Sequence, residues 1–103
     1  MKYIDIESAY LHDYEISDIQ IMYKESIINV NLISPKGEKR IVKVLDFLNQ
    51  EIIRNEPWGS GMYIFSFELN YFKQSNYYKL HFLLNSGDYL DITTKEKPIL
   101  IET

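Results

Sequence analysis

Met62-Tyr63-Ile64-Phe65-Ser66-Phe67-Glu68-Leu69, residues 62–69, is the stretch that decides the fold. Large apolar side chains occupy every second position: Tyr63, Phe65, Phe67 and Leu69. Ser66 and Glu68 lie between them, and Ile64 is the one apolar residue on the polar side. A period of two is typical of a β-strand that buries one face. This stretch therefore predicts a strand whose odd-numbered side chains face the core.

The same alternation recurs on both sides of this strand. The apolar positions that share a predicted face are Ile19, Ile21 and Tyr23; Ile28, Val30 and Leu32; Val42 and Val44; and Tyr78, Leu80, Phe82 and Leu84. Polar breaks separate the runs, at Lys24-Glu25-Ser26, Ser34-Pro35-Lys36-Gly37 and Asn85-Ser86-Gly87-Asp88. Proline fixes φ and glycine supplies a positive φ, so the last two breaks predict tight hairpin turns. Residues 89–94 then form the returning strand.

Two parts of the pattern are ambiguous. Leu45, Leu48 and Ile52 have helical spacing, whereas Ile52 and Ile53 fit a strand equally well. We expect one helical turn there, followed by a short extended piece. Near the termini, Ile4 and Ile6, and residues 99–101 after Pro98, each fit an edge strand.

The order of these elements predicts the fold class. Successive short strands without long helices between them favour antiparallel pairing over a parallel sheet. We expect a mostly β chain, with an antiparallel sheet folded as a sandwich or partly open barrel of six to eight strands and at most one short helix. Because no repeat or flexible linker divides the sequence, residues 1–103 are expected to form a single domain.

Composition excludes several classes of function. The chain has a net charge of −4, which lacks the positive surface that nucleic acid binding requires. It contains no cysteine, so disulfides and thiolate chemistry are excluded, as is typical of a reducing compartment. Neither a signal peptide nor a long apolar run is present. We expect a cytoplasmic protein with no cofactor and with neither a nucleic acid nor a membrane as its partner.

Three short motifs carry a resemblance: Leu11-His12-Asp13, Pro57-Trp58-Gly59-Ser60 and Ser86-Gly87-Asp88. In this order and spacing, over about residues 11–94, the chain resembles a group of small uncharacterised bacterial all-β proteins. That group is similar to immunity proteins of bacterial toxin systems, and the resemblance implies a domain that binds and blocks a partner toxin. Ser60-Gly61 departs from the proline and serine usual there, and the tyrosine-rich segment 71–78 is also unusual.

His12 and Asp13 are the most tempting catalytic pair, because a carboxylate can orient an imidazole for general base work. Adjacent residues of an extended segment point to opposite faces, however, and the two side chains meet only if a turn intervenes. We favour a structural role in which they fix the start of the first long strand through backbone hydrogen bonds. His81 is interpreted as a surface histidine of a strand. The two histidines have no spacing typical of a zinc site.

The remaining candidate site residues are aromatic. Trp58 lies on a loop rich in proline and glycine, where a lid over the core is favoured over an interface anchor. Tyr71, Phe72, Tyr77 and Tyr78 flank a polar loop. An exposed adhesive patch and ordinary core packing fit these four residues equally well.

Charge is unevenly distributed. Among the first 25 residues, six acidic side chains accompany only two lysines, whereas residues 36–43 hold four basic side chains and Glu38. An acidic front would steer a basic toxin such as a nuclease. Charged strand edges that prevent aggregation are the favoured alternative.

The sequence therefore supports three hypotheses about function. The first is a non-catalytic protein-binding module, most concretely an immunity-type inhibitor of a bacterial toxin. The second is a structural or accessory subunit that forms a homodimer through an edge strand or the aromatic patch. The third and remotest is a small enzyme that uses His12 and Asp13.

Overall fold

A computed structural model describes residues 2–55 and 63–102. Nine strands lie in these two ranges: β1 (Lys2–Ile4), β2 (Glu15–Met22), β3 (Ile27–Ile33), β4 (Lys39–Leu45), β5 (Phe47–Ile53), β6 (Ile64–Phe72), β7 (Tyr77–Leu84), β8 (Tyr89–Thr94) and β9 (Ile99–Glu102). One turn of 3-10 helix, Ile6–Ser8, separates β1 from β2. Within the described ranges no helix is long and apolar enough to cross a membrane.

The strands form two antiparallel sheets. The five-stranded sheet has the order β1-β9-β4-β3-β2, and the four-stranded sheet has the order β5-β8-β7-β6. Their apolar faces enclose one core, built mainly from Ile28, Val30, Leu32, Val42, Val44 and Leu100 of the first sheet and from Ile64, Leu80, Phe82, Leu90 and Ile92 of the second. The prediction of a mostly β, antiparallel sandwich is confirmed, and the described strands include one more than the predicted maximum of eight.

Two hairpins share one turn geometry, and both were predicted from the sequence. In the β3–β4 hairpin, Gly37 has a φ of 86° and donates its N–H to Ser34 O at 2.8 Å. In the β7–β8 hairpin, Gly87 has a φ of 93° and donates to Leu84 O at 2.9 Å. A three-residue loop of this kind requires one residue with a positive φ, which glycine adopts without steric cost.

The prediction of a helical turn after residue 45 is wrong. Residues 47–53 form β5, which pairs with β8 along its whole length. Asp46, with a φ of 57°, forms a bend between β4 and β5, which belong to different sheets, and Thr94 Oγ1 donates a hydrogen bond to Leu45 O. Pairing with β8 gives β5 backbone hydrogen bonds and overrides the helical spacing of Leu45, Leu48 and Ile52.

The two termini are neighbours in the same sheet. β1 is an edge strand that contains Ile4, as expected, and it pairs with β9. Ile6, which was expected in the same strand, begins the 3-10 helix. β9 is not an edge strand, because it lies between β1 and β4. This arrangement buries Leu100 and Ile101.

The predicted orientation of the side chains is wrong in the first part of residues 62–69. A β-bulge falls between Ile64 and Ser66, where β6 pairs with β7. The extra residue shifts the alternation by one, so Ile64 is 0% exposed while Tyr63 and Phe65 are 40% and 55% exposed. Only Phe67 and Leu69 pack against the core as predicted.

The predicted buried face of residues 19–23 is also partly wrong, again because of a bulge. β2 starts at Glu15 and carries a bulge between Ile16 and Asp18. Ile16 is buried and Ile19 packs against the core, whereas Ile21 and Tyr23 are largely exposed. Tyr23 lies beyond the last residue of the strand and is 85% exposed, because the chain turns there.

Candidate functional site

Four charged or titratable side chains form a row across the four-stranded sheet. The registers place Glu51 of β5 opposite Asp91 of β8, Asp91 opposite His81 of β7, and His81 opposite Glu68 of β6. These residues alternate with buried core positions on each of the two inner strands, so the row lies on the outer face. We call Glu51, Asp91, His81 and Glu68 the acidic row.

Hydrogen bonds order the centre of the acidic row. His81 Nδ1 donates to Asp91 Oδ1, since a carboxylate oxygen can only accept, and the Tyr89 hydroxyl donates to Glu51 Oε1. The rings of His81 and Tyr89 lie with their centroids 5.7 Å apart. This arrangement gives an outer face that accepts hydrogen bonds and attracts cations.

The hydrogen bond to Glu51 raises the pKa of Tyr89 above its ordinary value of 10.0. Desolvation of the hydroxyl and the negative charges of Glu51 and Asp91 act in the same direction. All of these effects disfavour the phenolate. Ionisation removes the proton that Tyr89 donates to Glu51, and it creates a negative charge that is partly desolvated and lies near two carboxylates. The tyrosine is therefore held as a neutral donor on this face.

Replacing Glu51 with glutamine is expected to lower the pKa of Tyr89 toward its ordinary value of 10.0, because the carboxylate is the largest cause of the shift. Ultraviolet absorbance of ionised tyrosine, followed during an alkaline titration, measures the change. Tyr89→Phe is the control, since it removes the contribution of Tyr89 from the wild-type curve. An unchanged curve in Glu51→Gln would contradict the contact.

The same shift fixes the sign of a stability change at high pH. The contribution of neutral Tyr89 is fully present below the ordinary tyrosine pKa and is lost as pH rises through the raised pKa of the folded state. Denaturation at several alkaline pH values should therefore show a steeper loss of stability in wild type than in Tyr89→Phe. Equal slopes would show that Tyr89 titrates alike in the folded and unfolded states.

The edge of the sheet beside Glu68 is open along part of its length. Backbone hydrogen bonds alternate in an antiparallel pair, so successive residues direct their N–H and C=O groups to opposite sides. Leu84 N–H donates to Asp88 O at 2.9 Å, which directs the even-numbered residues of β7 toward β8. The odd-numbered residues of β7 are thus directed toward β6.

Register then identifies the outward groups of β6. The odd-numbered residues of β7 pair with Ser66, Glu68 and Asn70, which direct their backbone groups back to β7. The alternate residues of β6 therefore direct their N–H and C=O groups away from the sheet. They are Phe67, Leu69 and Tyr71. In the described ranges no backbone hydrogen bond from a loop or another strand reaches these three residues. We call Phe67, Leu69 and Tyr71 the open edge of β6.

The first residues of β6 are covered by the turn that contains His12 and Asp13. A turn gives Asp13 a φ of 69° and brings its carboxylate oxygen Oδ1 to 3.5 Å from His12 Nε2. His12 Nδ1 donates to Phe65 O at 2.7 Å, and Asp13 N–H donates to Ile64 O at 2.8 Å. The two side chains meet because of the turn, and both contacts with β6 agree with a structural role at the start of β2.

A recess of about 170 Å³ lies beside this turn, lined by residues 9–12 and 65–67. Tyr10 is 77% exposed, and its ring centroid is 5.8 Å from that of His12. The exposed ring of Phe65 lies edge-to-face with the imidazole, with ring centroids 5.9 Å apart. The bulge aims Phe65 outward and thereby builds one wall of the recess.

The four aromatic residues near the β6–β7 turn do not form one patch. Tyr71 faces Tyr78 with ring centroids 4.7 Å apart, and Phe72 faces Tyr77 at 5.0 Å. Strand alternation places the first pair on the side of the core residues Leu69 and Leu80 and the second pair on the outer face. Phe72 and Tyr77 therefore lie on the same face as the acidic row, on the far side of the row of Asn70 and Lys79.

Other predicted features contribute less to this face. Trp58 and its loop lie outside the described residues. The acidic residues of the first 25 are spread over the 3-10 helix, the turn at Asp13, β2 and the β2–β3 turn. Arg40 of the basic cluster is 9% exposed and pairs with Glu38 and Glu102 at 3.4 and 3.5 Å. The acidic residues thus lie on several elements, and the charge of Arg40 is balanced by two glutamates.

Metal chemistry has no geometric support in the part of the chain that the structure describes. No group of three or more His, Asp or Glu side chains in residues 2–55 and 63–102 is placed to hold an ion. The acidic row is extended along the sheet, with one side chain from each strand. It suits a broad contact better than the enclosure of a single ion.

The sequence pattern does not reveal the acidic row. It predicts His81 on the surface of a strand, and His81 lies on the outer face of β7, but no motif indicates its partner Asp91. The predicted turn at residues 85–88 carries the missing signal, because it sets which residues of β7 and β8 face each other. Glu51 was not accessible by this route, since β5 was expected to begin as a helix.

Comparison of the chain with protein-family models, with curated proteins and with solved structures found no match in any of the three.

Proposed function

We propose that this protein is a non-catalytic protein-binding module, most concretely a cytoplasmic immunity-type inhibitor that covers the active surface of a bacterial toxin. The observation that supports the proposal is the ordered acidic row on the outer face of the four-stranded sheet. Its partner is a protein with a basic contact surface.

Charge and aromatic surface both favour a protein partner for this face. Three carboxylates lie in one row, and Lys79 is the lysine of the neighbouring row, opposite Asn70 and Thr93. Phe72 and Tyr77 add exposed aromatic area at one end. Interfaces are enriched in aromatic residues, and complementary charge speeds association and selects the partner.

The catalytic alternative has weaker support. His12 Nδ1 is occupied by Phe65 O, and the contact of Nε2 with Asp13 is 3.5 Å, longer than an ordinary hydrogen bond. A carboxylate that orients a general base normally holds one ring nitrogen by a short hydrogen bond. The pair is therefore better suited to joining the two sheets.

Self-association is the second candidate function, and the open edge of β6 favours it. Phe67, Leu69 and Tyr71 offer outward backbone groups to another strand, including one from a second copy of this chain. Concentration-dependent dimerisation, measured by analytical ultracentrifugation, distinguishes this candidate from a monomeric inhibitor.

Co-expression with the product of the adjacent open reading frame tests the proposal, with growth rescue in a bacterial host as the readout. Wild type should restore growth, whereas the double variant Glu51→Lys/Glu68→Lys should bind the neighbouring product about tenfold or more weakly and rescue poorly. Reversing two charges of the row turns attraction into repulsion for a basic partner. Affinity is measured by titration calorimetry.

The matched control is Glu25→Lys/Glu96→Lys, which changes the net charge equally at two exposed glutamates away from this face. It should leave rescue and affinity near wild type. Equal loss in both double variants would show that net charge alone acts. A toxic neighbour that wild type neither binds nor neutralises would rule out the inhibitor function.

A further inference from the structure

We propose that the open edge of β6 accepts an extended strand of the basic partner, so that the four-stranded sheet gains a fifth, antiparallel strand. This inference rests on the proposed function, because it specifies how the same partner docks. Its residues are Phe67, Leu69 and Tyr71 at the edge and Glu68 on the adjoining face. The acidic row then continues onto the partner.

Backbone groups provide the first argument. Three consecutive outward positions of β6 offer N–H and C=O groups, and such a row is a template for another strand. Natural edges are usually protected by bulges, charges or covering segments. β6 has such protection at its first residues, where the bulge and the turn at His12 and Asp13 cover it. In the described ranges that cover ends before Phe67.

The outer face determines half of the partner's sequence pattern. A residue added opposite Glu68 would continue the row of Glu51, Asp91, His81 and Glu68. Opposite charges that face each other across strands are stabilising, and like charges are destabilising. Lysine or arginine is therefore expected at this position of the partner strand.

The inner face determines the other half. Phe67 and Leu69 are half-buried against the core, and Tyr71 is 50% exposed at the rim. Partner residues opposite these three positions would extend the apolar side of the sheet. Apolar side chains at alternate positions are expected there. The occupant is thus a short strand in which basic and apolar residues alternate.

A second copy of this chain fits the edge less well than such a partner. Pairing two β6 strands would bring another Glu68 to a face that already carries three carboxylates. A basic strand neutralises the same charge. The edge also ends at the turn of residues 12–13, so about five or six residues of the added strand can pair with β6, beside positions 67–72.

The probe for a direct test is the capped peptide Val-Lys-Val-Lys-Val-Lys-Val, with Val-Glu-Val-Glu-Val-Glu-Val as its charge control. The lysine peptide should bind and slow amide hydrogen exchange at Phe67, Leu69 and Tyr71. The glutamate peptide should bind at least about tenfold more weakly. Protection confined to another strand, or equal binding of the two peptides, would overturn the inference.

Backbone pairing is tested by methylating the probe. In an antiparallel addition the valines lie opposite Phe67, Leu69 and Tyr71 and direct their N–H groups to β6, whereas the lysine N–H groups point away. N-methylation of the central valines should therefore weaken binding at least about tenfold, while N-methylation of the lysines should change it little. Equal tolerance of both methylation patterns would contradict strand addition.

Matched proline variants carry the test to the whole protein. Leu69→Pro removes an N–H that points away from β7, so it breaks no bond of the sheet. By the same alternation, Ile52→Pro removes an outward N–H at the opposite edge, on β5. Circular dichroism checks that both variants fold. The lysine peptide should lose about tenfold or more in affinity for Leu69→Pro alone.

Growth rescue separates failure of this inference from failure of the proposed function. Loss of rescue in Leu69→Pro, with rescue retained in Ile52→Pro, supports the open edge as the docking site. Rescue retained in both proline variants would overturn strand addition and leave the inhibitor function standing. If wild type itself fails to neutralise a toxic neighbour, the function fails, and peptide binding at the edge still decides the inference.

Discussion

Phe82→Ala is expected to lower the free energy of unfolding by about 3–5 kcal/mol, the typical cost of truncating a fully buried phenylalanine. Phe82 is 0% exposed at the centre of β7, and its ring lies 4.8 Å from that of Phe67 on β6. The substitution leaves a cavity between the two sheets. The hydrogen-bonded strands around it can move only partly into the space that the ring vacates. Urea denaturation followed by circular dichroism measures the loss.

Phe65→Ala is the matched control for this substitution. Phe65 is on the neighbouring strand but 55% exposed, since the bulge turns its side chain out of the core. Its truncation should cost about 1 kcal/mol or less, as for most exposed positions. Comparable losses in the two variants would show that the alternation of β6 continues without a bulge.

Asp88→Ala is expected to have the second largest effect, a loss of about 1.5–3 kcal/mol for a hydrogen bond to a charged group. Asp88 is 3% exposed, and its Oδ1 accepts the Asn55 N–H at 2.9 Å. The contact joins Asn55, two residues beyond the end of β5, to the turn between β7 and β8. Alanine would leave the Asn55 N–H without this acceptor in a part-buried position.

Asp88→Asn separates the charge from the acceptor. Asparagine keeps a side-chain oxygen that can accept from Asn55, so this variant should lose less stability than Asp88→Ala. Thermal unfolding of both variants at neutral pH measures the difference. If neither variant loses stability, the contact does not contribute, and the Ser-Gly-Asp motif acts through the turn alone.

Only half of the acidic row can be predicted from the sequence. The turn at residues 85–88 fixes the register of β7 and β8, which alone places His81 opposite Asp91. Glu51 and Glu68 join the row only because β5 and β6 flank those strands. Their positions depend on two bulges, at Leu48 and Phe65, whose residues have no distinctive spacing. The hairpin was therefore accessible to sequence reasoning, and the complete row was not.

Pattern and turn chemistry by themselves determined the strands that alternate cleanly. Ile28, Val30 and Leu32, and likewise Leu80 and Phe82, are buried as their spacing predicts. Gly37 and Gly87 set the hairpins, because only a residue that tolerates a positive φ completes such a turn. These features are local, since side-chain period and backbone dihedrals are properties of a few adjacent residues.

Tertiary structure decided what depends on partners distant in the chain. β5 forms because β8 satisfies its backbone, and β9 is an inner strand because β1 pairs with its other side. The bulge before Ser66 exposes Phe65 and buries Ile64, although the sequence alternation predicts the reverse. A hydrogen-bonded ladder is satisfied only when its partner strand is present, so register, bulges and edges are properties of the assembled sheets.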